Sequence, residues 1–135
     1  CTGNTCRSPM AEAIYREKFG DKAEFISRGL YVEEPRSASY NAEEVMKKMG
    51  LDISAHKSKE LTEKEALEAD LILTATAAHR DNILAVLPEL QGKVFTLCEY
   101  ANLPFEDIPD PFGGDIEDYT RCAETIKKAA EATKL

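Results

Sequence analysis

The chain has 135 residues, of which 43% are apolar and 31% charged, a length and composition that suit one globular domain and exclude a disordered or collagen-like protein. Its 17 basic and 25 acidic residues give a net charge of -8, which argues against a protein that coats nucleic acid or anionic membranes. No apolar stretch approaches the ~18 residues of a membrane span, and no secretory leader pattern opens the sequence. We therefore expect a cytoplasmic protein with neither nucleic acid nor a membrane as its partner.

Apolar residues recur with helical and strand periods in alternation along the chain. Pro9 stands where the first turn of a helix tolerates proline, and Thr62 with Glu65 forms a capping-box pattern. The pattern predicts, in chain order, a helix over 8–20, a strand over 23–30, a helix over 41–49, a short helix after Thr62, a strand over 70–76, a helix over 77–87, a strand over 94–97 and a helix over 115–133.

This alternation predicts an α/β fold in which a doubly wound parallel sheet carries helices on both faces. Ligands of such sheets bind outside the carboxyl ends of the strands, so we expect the chemistry on the loops there. Residues 1–135 are expected to form a single domain. Because a doubly wound sheet needs a strand that leads into the first loop, we expect a strand of about five or six residues upstream of Cys1.

The first eight residues, which we name the opening loop, place a cysteine and an arginine with five residues between them at the start of a helix. The backbone N–H groups of such a loop and the helix N-terminus attract an anion, and Gly3 permits close approach of the backbone. Arg7 can bind two phosphate oxygens at once. The same positive field keeps Cys1 as the attacking thiolate, to which Ser8 can donate a hydrogen bond. The predicted phosphate site comprises Cys1, Thr2, Gly3, Asn4, Thr5, Cys6, Arg7 and Ser8.

A second candidate lies far along the chain, in the stretch DIPDPFGG at 107–114, which we name the Asp110 loop. An aspartate fixed before Pro111 on a glycine-bounded loop is suited to protonate a leaving group and then to activate water. An Asp-Pro pair alone is a common turn start, so this assignment depends on its pairing with the opening loop.

The sequences CTGNTCRSPMAEA and DPFGG, on either side of an alternating α/β chain, resemble the low molecular weight protein-tyrosine phosphatase family. The resemblance implies a four-stranded parallel sheet with flanking helices. It also implies a cysteinyl-phosphate mechanism that needs no metal or other cofactor, acts on phosphorylated proteins and releases inorganic phosphate. In that mechanism Cys1 is the nucleophile, Arg7 binds the transferring phosphoryl group, and Asp110 is first the acid and then the base.

The resemblance assigns supporting roles as well. It implies that Asn4 and Ser8 tie the loop and stabilise the thiolate, and that His56 braces the loop through the asparagine. One departure is Arg28, which stands where the family typically has a small residue and is expected to alter the edge of the pocket.

Two positions resemble the bacterial protein arginine phosphatase branch of the family. Thr5 stands where tyrosine phosphatases usually carry an aliphatic residue, and Phe112 is followed by two glycines in place of an aromatic pair. A threonine hydroxyl is suited to orient water or a donor-rich guanidinium phosphate, and it removes apolar packing for a tyrosine ring. We therefore expect phosphoarginine as the substrate, with phosphotyrosine as the alternative. Tyr31 and Phe112 are candidate pocket walls, although simple aromatic packing on loops explains them equally well.

The four cysteines lack the spacing of a structural zinc site. Cys98 and Cys122 are expected to be small buried residues. For Cys6 two outcomes stay open: it forms a disulfide with an oxidised Cys1 and makes the protein redox-sensitive, or it packs inertly beneath the loop.

Three other protein classes share single features with this chain. Arsenate reductases have this fold and loop but need further cysteines on a helix, and the predicted helix over 77–87 contains none. An N-terminal cysteine nucleophile that uses its own α-amine would make the spacing to the arginine a coincidence. A non-catalytic phosphate-binding module would need the opening loop alone, whereas Arg7 and Asp110 together favour catalysis.

Overall fold

The computed structural model describes residues 3–135, so the predictions for Cys1 and Thr2 fall outside the described residues. Within that range the helices and strands are α1 (Arg7–Phe19), α2 (Tyr40–Lys48), α3 (Glu63–Glu68), β1 (Ile72–Thr74), α4 (Ala77–Val86), β2 (Val94–Thr96), α5 (Leu97–Tyr100) and α6 (Ile116–Ala132). The four longer predicted helices agree with α1, α2, α4 and α6 to within one residue at each end. None of the helices in this range is long and apolar enough to cross a membrane.

Side chains that precede the helices determine where several of them begin. The Thr62 hydroxyl accepts a hydrogen bond from the Glu65 N–H, and the Glu65 carboxylate accepts one from the Thr62 N–H, which confirms the predicted capping box at α3. Thr96 and Glu99 form the same arrangement at α5, a four-residue helix too short to show an apolar period. Asp115 caps α6 through its carboxylate.

The two strands form a parallel pair in which residues 72, 73 and 74 lie opposite residues 94, 95 and 96. Because successive side chains of a strand point to opposite faces, Ile72 and Leu73 meet different helices. Ile72 packs with Ala66 of α3 and Ile83 of α4, whereas Leu73 packs against the larger core that α1, α2 and α6 share. Helices therefore cover both faces of the sheet, as the alternation of elements predicts.

The prediction of a strand over 23–30 is wrong, because within this stretch only Gly29 forms a parallel bridge, to Glu60. Side chains of α1 satisfy the backbone here instead of a neighbouring strand. The Glu12 carboxylate accepts a hydrogen bond from the Ser27 N–H at 2.7 Å, and the Arg16 guanidinium donates one to the Phe25 carbonyl. The described residues therefore contain two strands and one isolated bridge, and they do not confirm a sheet of four strands.

Candidate functional site

Asn4 anchors the backbone of the opening loop. It is fully buried and has a positive φ of 57°, a conformation that asparagine tolerates better than most residues. Its side-chain amide donates to the Ser27 hydroxyl at 3.1 Å, and its side-chain oxygen accepts the Lys59 N–H at 3.0 Å. Its carbonyl accepts a hydrogen bond from His56 Nε2 at 2.7 Å. The structure thus brings His56 to the asparagine, the contact that the family resemblance implies.

The neighbouring loop residues differ in how the protein constrains them. Among residues 3–135, a Cβ atom added to Gly3 would meet only the Thr5 hydroxyl, at 3.8 Å, so this part of the chain leaves room for a side chain there. Thr5 is half-buried, and its carbonyl accepts the Ser39 N–H at 2.9 Å. Ser8 is half-buried in the first turn of α1. The opening loop is therefore tied at Asn4 and Thr5 to three later parts of the chain.

Cys6 is buried and faces the helices behind the loop. Its Sγ lies 3.4 Å from the Tyr119 hydroxyl on α6 and 3.7 Å from the hydroxyl of Ser39, which caps α2. Burial, followed by the hydrogen bond with Cys6, raises the pKa of Tyr119, so the phenol keeps its proton at neutral pH. This packing agrees with the alternative in which Cys6 packs inertly beneath the loop. The distance that a disulfide would have to span cannot be given, because Cys1 lies outside the described residues.

Arg7 joins the two halves of the site that the sequence predicts. It is the first residue of α1 and is only 6% exposed. Its Nη1 donates to the Ile108 carbonyl at 2.9 Å, and its Nη2 lies 3.6 Å from Asp110 Oδ2. Its buried Nε has no hydrogen-bond partner among residues 3–135. A buried guanidinium that keeps one such donor beside a tightly held loop is suited to bind an anion.

The Asp110 loop lies beside the carboxyl end of β1. The Ile108 N–H donates to the Ala75 carbonyl at 2.8 Å, and Ile108 and Pro111 are buried on either side of the aspartate. The Asp110 side chain itself is 56% exposed, and its Oδ1 accepts the Phe112 N–H at 3.0 Å. The carboxylate therefore reaches solvent beside Arg7, at the edge of the sheet where the fold predicts the chemistry.

Each of the two glycines that end this loop is explained by a different feature of the structure. Gly113 has a φ of 80°, which favours glycine. A Cβ atom on Gly114 would collide with the side chain of Asp118, which takes part in the capping box of α6. The turn into α6 therefore accounts for both glycines of the DPFGG sequence.

The remaining predicted residues lie in different surroundings. Phe112 is 79% exposed next to the turn of Asp110, and Tyr31 is 64% exposed with its hydroxyl donating to Glu33 at 2.8 Å. Their function as pocket walls stays a prediction. Arg28 forms an ion pair with Glu65 of α3 at 2.8 Å, so α3 holds the guanidinium that we expected at the edge of the pocket.

Three residues near the site were not singled out by the sequence. His79 is buried in the first turn of α4, and burial lowers its pKa to about 4, with the Arg7 charge acting in the same direction. The Asp107 carboxylate accepts the N–H of Ala77, and the Asn41 amide donates to a carbonyl of the Asp110 loop. Only Asp107 had a signal in the sequence, as a second acidic residue in the DIPDPFGG stretch.

Comparison with known proteins agrees with this geometry. A family model described as low molecular weight phosphotyrosine protein phosphatase matches residues 1–134. A relative named protein-arginine-phosphatase, from Geobacillus stearothermophilus, is 39% identical over 127 residues, which cover 94% of this chain and 85% of the relative.

Solved structures agree as well. A low molecular weight protein tyrosine phosphatase from T. tengcongensis matches with a TM-score of 0.91 and 39% identity, covering 98% of this chain and 92% of that one. A mutant of the YwlE arginine phosphatase that carries a phosphorylated active-site serine matches with a TM-score of 0.90 and 33% identity, covering 97% of this chain and 88% of that one. The chain therefore belongs to the low molecular weight phosphotyrosine protein phosphatase family.

Proposed function

We propose that this chain is a cysteine-dependent protein phosphatase that hydrolyses phosphoarginine in proteins. The observation that carries the proposal is the position of Arg7. This residue begins α1 at the end of the opening loop, and its guanidinium lies 3.6 Å from the Asp110 carboxylate. One buried cation thus joins the predicted phosphate site to the predicted acid, which are 103 positions apart in the sequence.

The proposed reaction has two steps. The Cys1 thiolate attacks phosphorus, the bond from phosphorus to the substrate nitrogen breaks, and Asp110 gives its proton to that nitrogen. Asp110 then takes a proton from water, which attacks the cysteinyl phosphate and releases inorganic phosphate and the thiolate. Arg7 and the loop N–H groups bind the phosphoryl oxygens in both steps. Support for phosphoryl transfer at this position comes from the related arginine phosphatase mutant, whose active-site serine is phosphorylated.

Three observations favour phosphoarginine over phosphotyrosine. One similar relative is named a protein-arginine-phosphatase, and Thr5 places a hydroxyl in the loop where an aliphatic side chain would offer packing to an aromatic ring. The exposed carboxylate of Asp110 can also accept hydrogen bonds from a guanidinium, which a phenol does not offer. The alternative is a protein-tyrosine phosphatase, which the family and the T. tengcongensis structure support.

The substitution Thr5→Ile tests the choice of substrate. We expect it to lower kcat/KM for a phosphoarginine peptide and to raise it for a matched phosphotyrosine peptide, because isoleucine replaces a hydroxyl by apolar surface. The ratio of the two values should change by roughly 10- to 200-fold. Thr5→Ser keeps the hydroxyl and should keep the preference. If both substrates respond alike to Thr5→Ile, Thr5 does not select the substrate and tyrosine phosphatase becomes the better assignment.

We also propose that the active site is redox-sensitive through Cys6. Peroxide would oxidise the Cys1 thiolate to a sulfenic acid, and the Cys6 thiol would attack this sulfur with loss of water to form a disulfide. We expect wild-type protein inactivated by mild peroxide to recover with dithiothreitol, whereas Cys6→Ala should proceed to irreversible sulfinic acid. Mass spectrometry would identify the peptide that joins the two cysteines. Equal recovery of both proteins, or absence of that peptide, would contradict the proposal and leave Cys6 as the packing residue of α2 and α6.

We further propose that the two described strands belong to a four-stranded parallel sheet, as in the family that the sequence resembles. The isolated parallel bridge between Gly29 and Glu60 supports this proposal, because it shows parallel pairing beyond the two described strands. We also propose that the protein acts in the cytoplasm, which suits the three described cysteines, Cys6, Cys98 and Cys122, all of them free thiols.

A further inference from the structure

We propose that Asp107 and Asn41 are positioning residues that hold Asp110 against the phosphate site, an inference that rests on the acid role proposed above. The two carboxylate oxygens of Asp110 are placed by different groups. Oδ1 accepts the Phe112 N–H at 3.0 Å within the loop, and Oδ2 lies 3.6 Å from Arg7. The position of the Asp110 carboxylate therefore depends on the backbone of the Asp110 loop. Each end of this loop is hydrogen-bonded to a helix.

Asp107 ties the beginning of the loop to α4. Its Oδ1 accepts the Ala77 N–H at 2.8 Å. This N–H belongs to the first turn of α4, where backbone N–H groups have no partner within the helix and where the helix dipole favours a carboxylate. The helix has its own cap, because the Thr76 hydroxyl accepts the His79 N–H at 3.1 Å. Asp107 is therefore not needed to start α4, and its bond acts mainly on the loop.

Asn41 ties the end of the loop to α2. Its Nδ2 donates to the Gly114 carbonyl at 3.4 Å. Asn41 lies in the first turn of α2, and the residue that caps this helix, Ser39, donates its N–H to the Thr5 carbonyl at 2.9 Å. The first turn of α2 thus contacts both the opening loop and the Asp110 loop. Through it, Asn41 sets the separation between the phosphate site and the acid.

Between these two ties the loop has little support on one side. A cavity of about 550 Å³ borders residues 109–114 and is lined on its other side by α6 residues that include Cys122 and Thr125. The exposed part of the loop around Asp110 therefore borders this cleft and not packed side chains of α6. A displacement of about 1 Å in a catalytic group can lower the rate by up to ~100-fold, so the loss of one tie is expected to act on catalysis more than on folding.

The test compares two aryl phosphates, since a general acid matters most for a poor leaving group. We expect Asp107→Ala to lower kcat/KM, which reports the step in which the leaving group departs, by about tenfold on phenyl phosphate and much less on p-nitrophenyl phosphate. Inhibition by inorganic phosphate should stay at the wild-type value. Asp107→Asn keeps an acceptor oxygen and should restore the wild-type ratio of the two rates. Asp21→Ala removes a carboxylate from the exposed turn after α1 and serves as the matched control.

Asn41→Leu keeps the approximate shape of the side chain without its donor and should cause the same leaving-group-dependent loss. In an Asp110→Asn background, neither substitution should lower kcat/KM further, because the acid is already removed. Equal losses of kcat/KM on both aryl phosphates, or a further loss of kcat/KM in the Asp110→Asn background, would overturn the proposal in favour of a structural role. If Asp107→Ala does not fold, Asn41→Leu decides by the same criteria. If Asp110→Asn alone leaves phenyl phosphate hydrolysis unchanged, the proposed acid role fails first and the positioning role falls with it.

Discussion

Cys1→Ser is expected to reduce turnover to below a few per cent of wild type while binding of phosphate or vanadate is retained. The serine hydroxyl stays protonated at neutral pH and is a much weaker nucleophile, and a serine phosphate has a much poorer leaving group than a cysteinyl phosphate. Turnover should therefore nearly stop even though the serine of the related mutant can become phosphorylated. The anion site survives the exchange because it consists of backbone N–H groups and Arg7, which is buried and held by the Ile108 carbonyl. Turnover of a phosphoarginine peptide and inhibition constants for vanadate would measure the two properties separately.

The matched control for this substitution is Cys98→Ser. Burial raises the pKa of Cys98 to about 11, so this thiol remains protonated at neutral pH and is not a nucleophile. A folded Cys98→Ser protein should therefore keep its turnover. Residual activity of Cys1→Ser well above a few per cent would rule out the covalent mechanism. Loss of vanadate binding together with turnover would show instead that the substitution disrupts the opening loop.

The parts of this protein that the sequence predicts well have local causes. The capping box of Thr62 and Glu65 lies within four residues, and the apolar face of α6 repeats over its whole length, so each element can be identified without knowing its neighbours. The approach of Arg7 to Asp110 is a long-range contact, yet it was expected because each residue belongs to a contiguous motif.

Other features depend on contacts that no local pattern encodes. In the stretch at 23–30, which the sequence predicts as a strand, the Ser27 N–H donates to the Glu12 carboxylate of α1 and not to a described strand. The direction of Cys6 is set by Tyr119, which is 113 positions away in the sequence. The sequence identifies Asn41 only as the first residue of a predicted helix, because its hydrogen-bond partner lies far away in the Asp110 loop. Each of these contacts requires the tertiary arrangement of two elements.

Asp110→Asn is expected to lower kcat by roughly 10²- to 10⁴-fold, the range typical of a lost general acid. Asparagine can still accept the Phe112 N–H that orients the side chain, so the loop should keep its course and phosphate should still bind. What the variant lacks is the proton for the leaving group and the carboxylate that later activates water.

The size of this loss should depend on the leaving group. We expect it to be largest for phenyl phosphate, whose phenolate leaves poorly without a proton, and smaller for p-nitrophenyl phosphate. The loss for phosphoarginine should be smaller than the loss for phenyl phosphate, because a P–N bond protonated at nitrogen breaks easily and water can supply part of that protonation. Asp21→Asn, at an exposed position beyond the far end of α1, is the control for removing one negative charge. An unchanged rate on phenyl phosphate would remove Asp110 from the mechanism. A uniform loss of kcat/KM on all three substrates, together with weaker inhibition by phosphate, would assign it to phosphate binding through Arg7 instead.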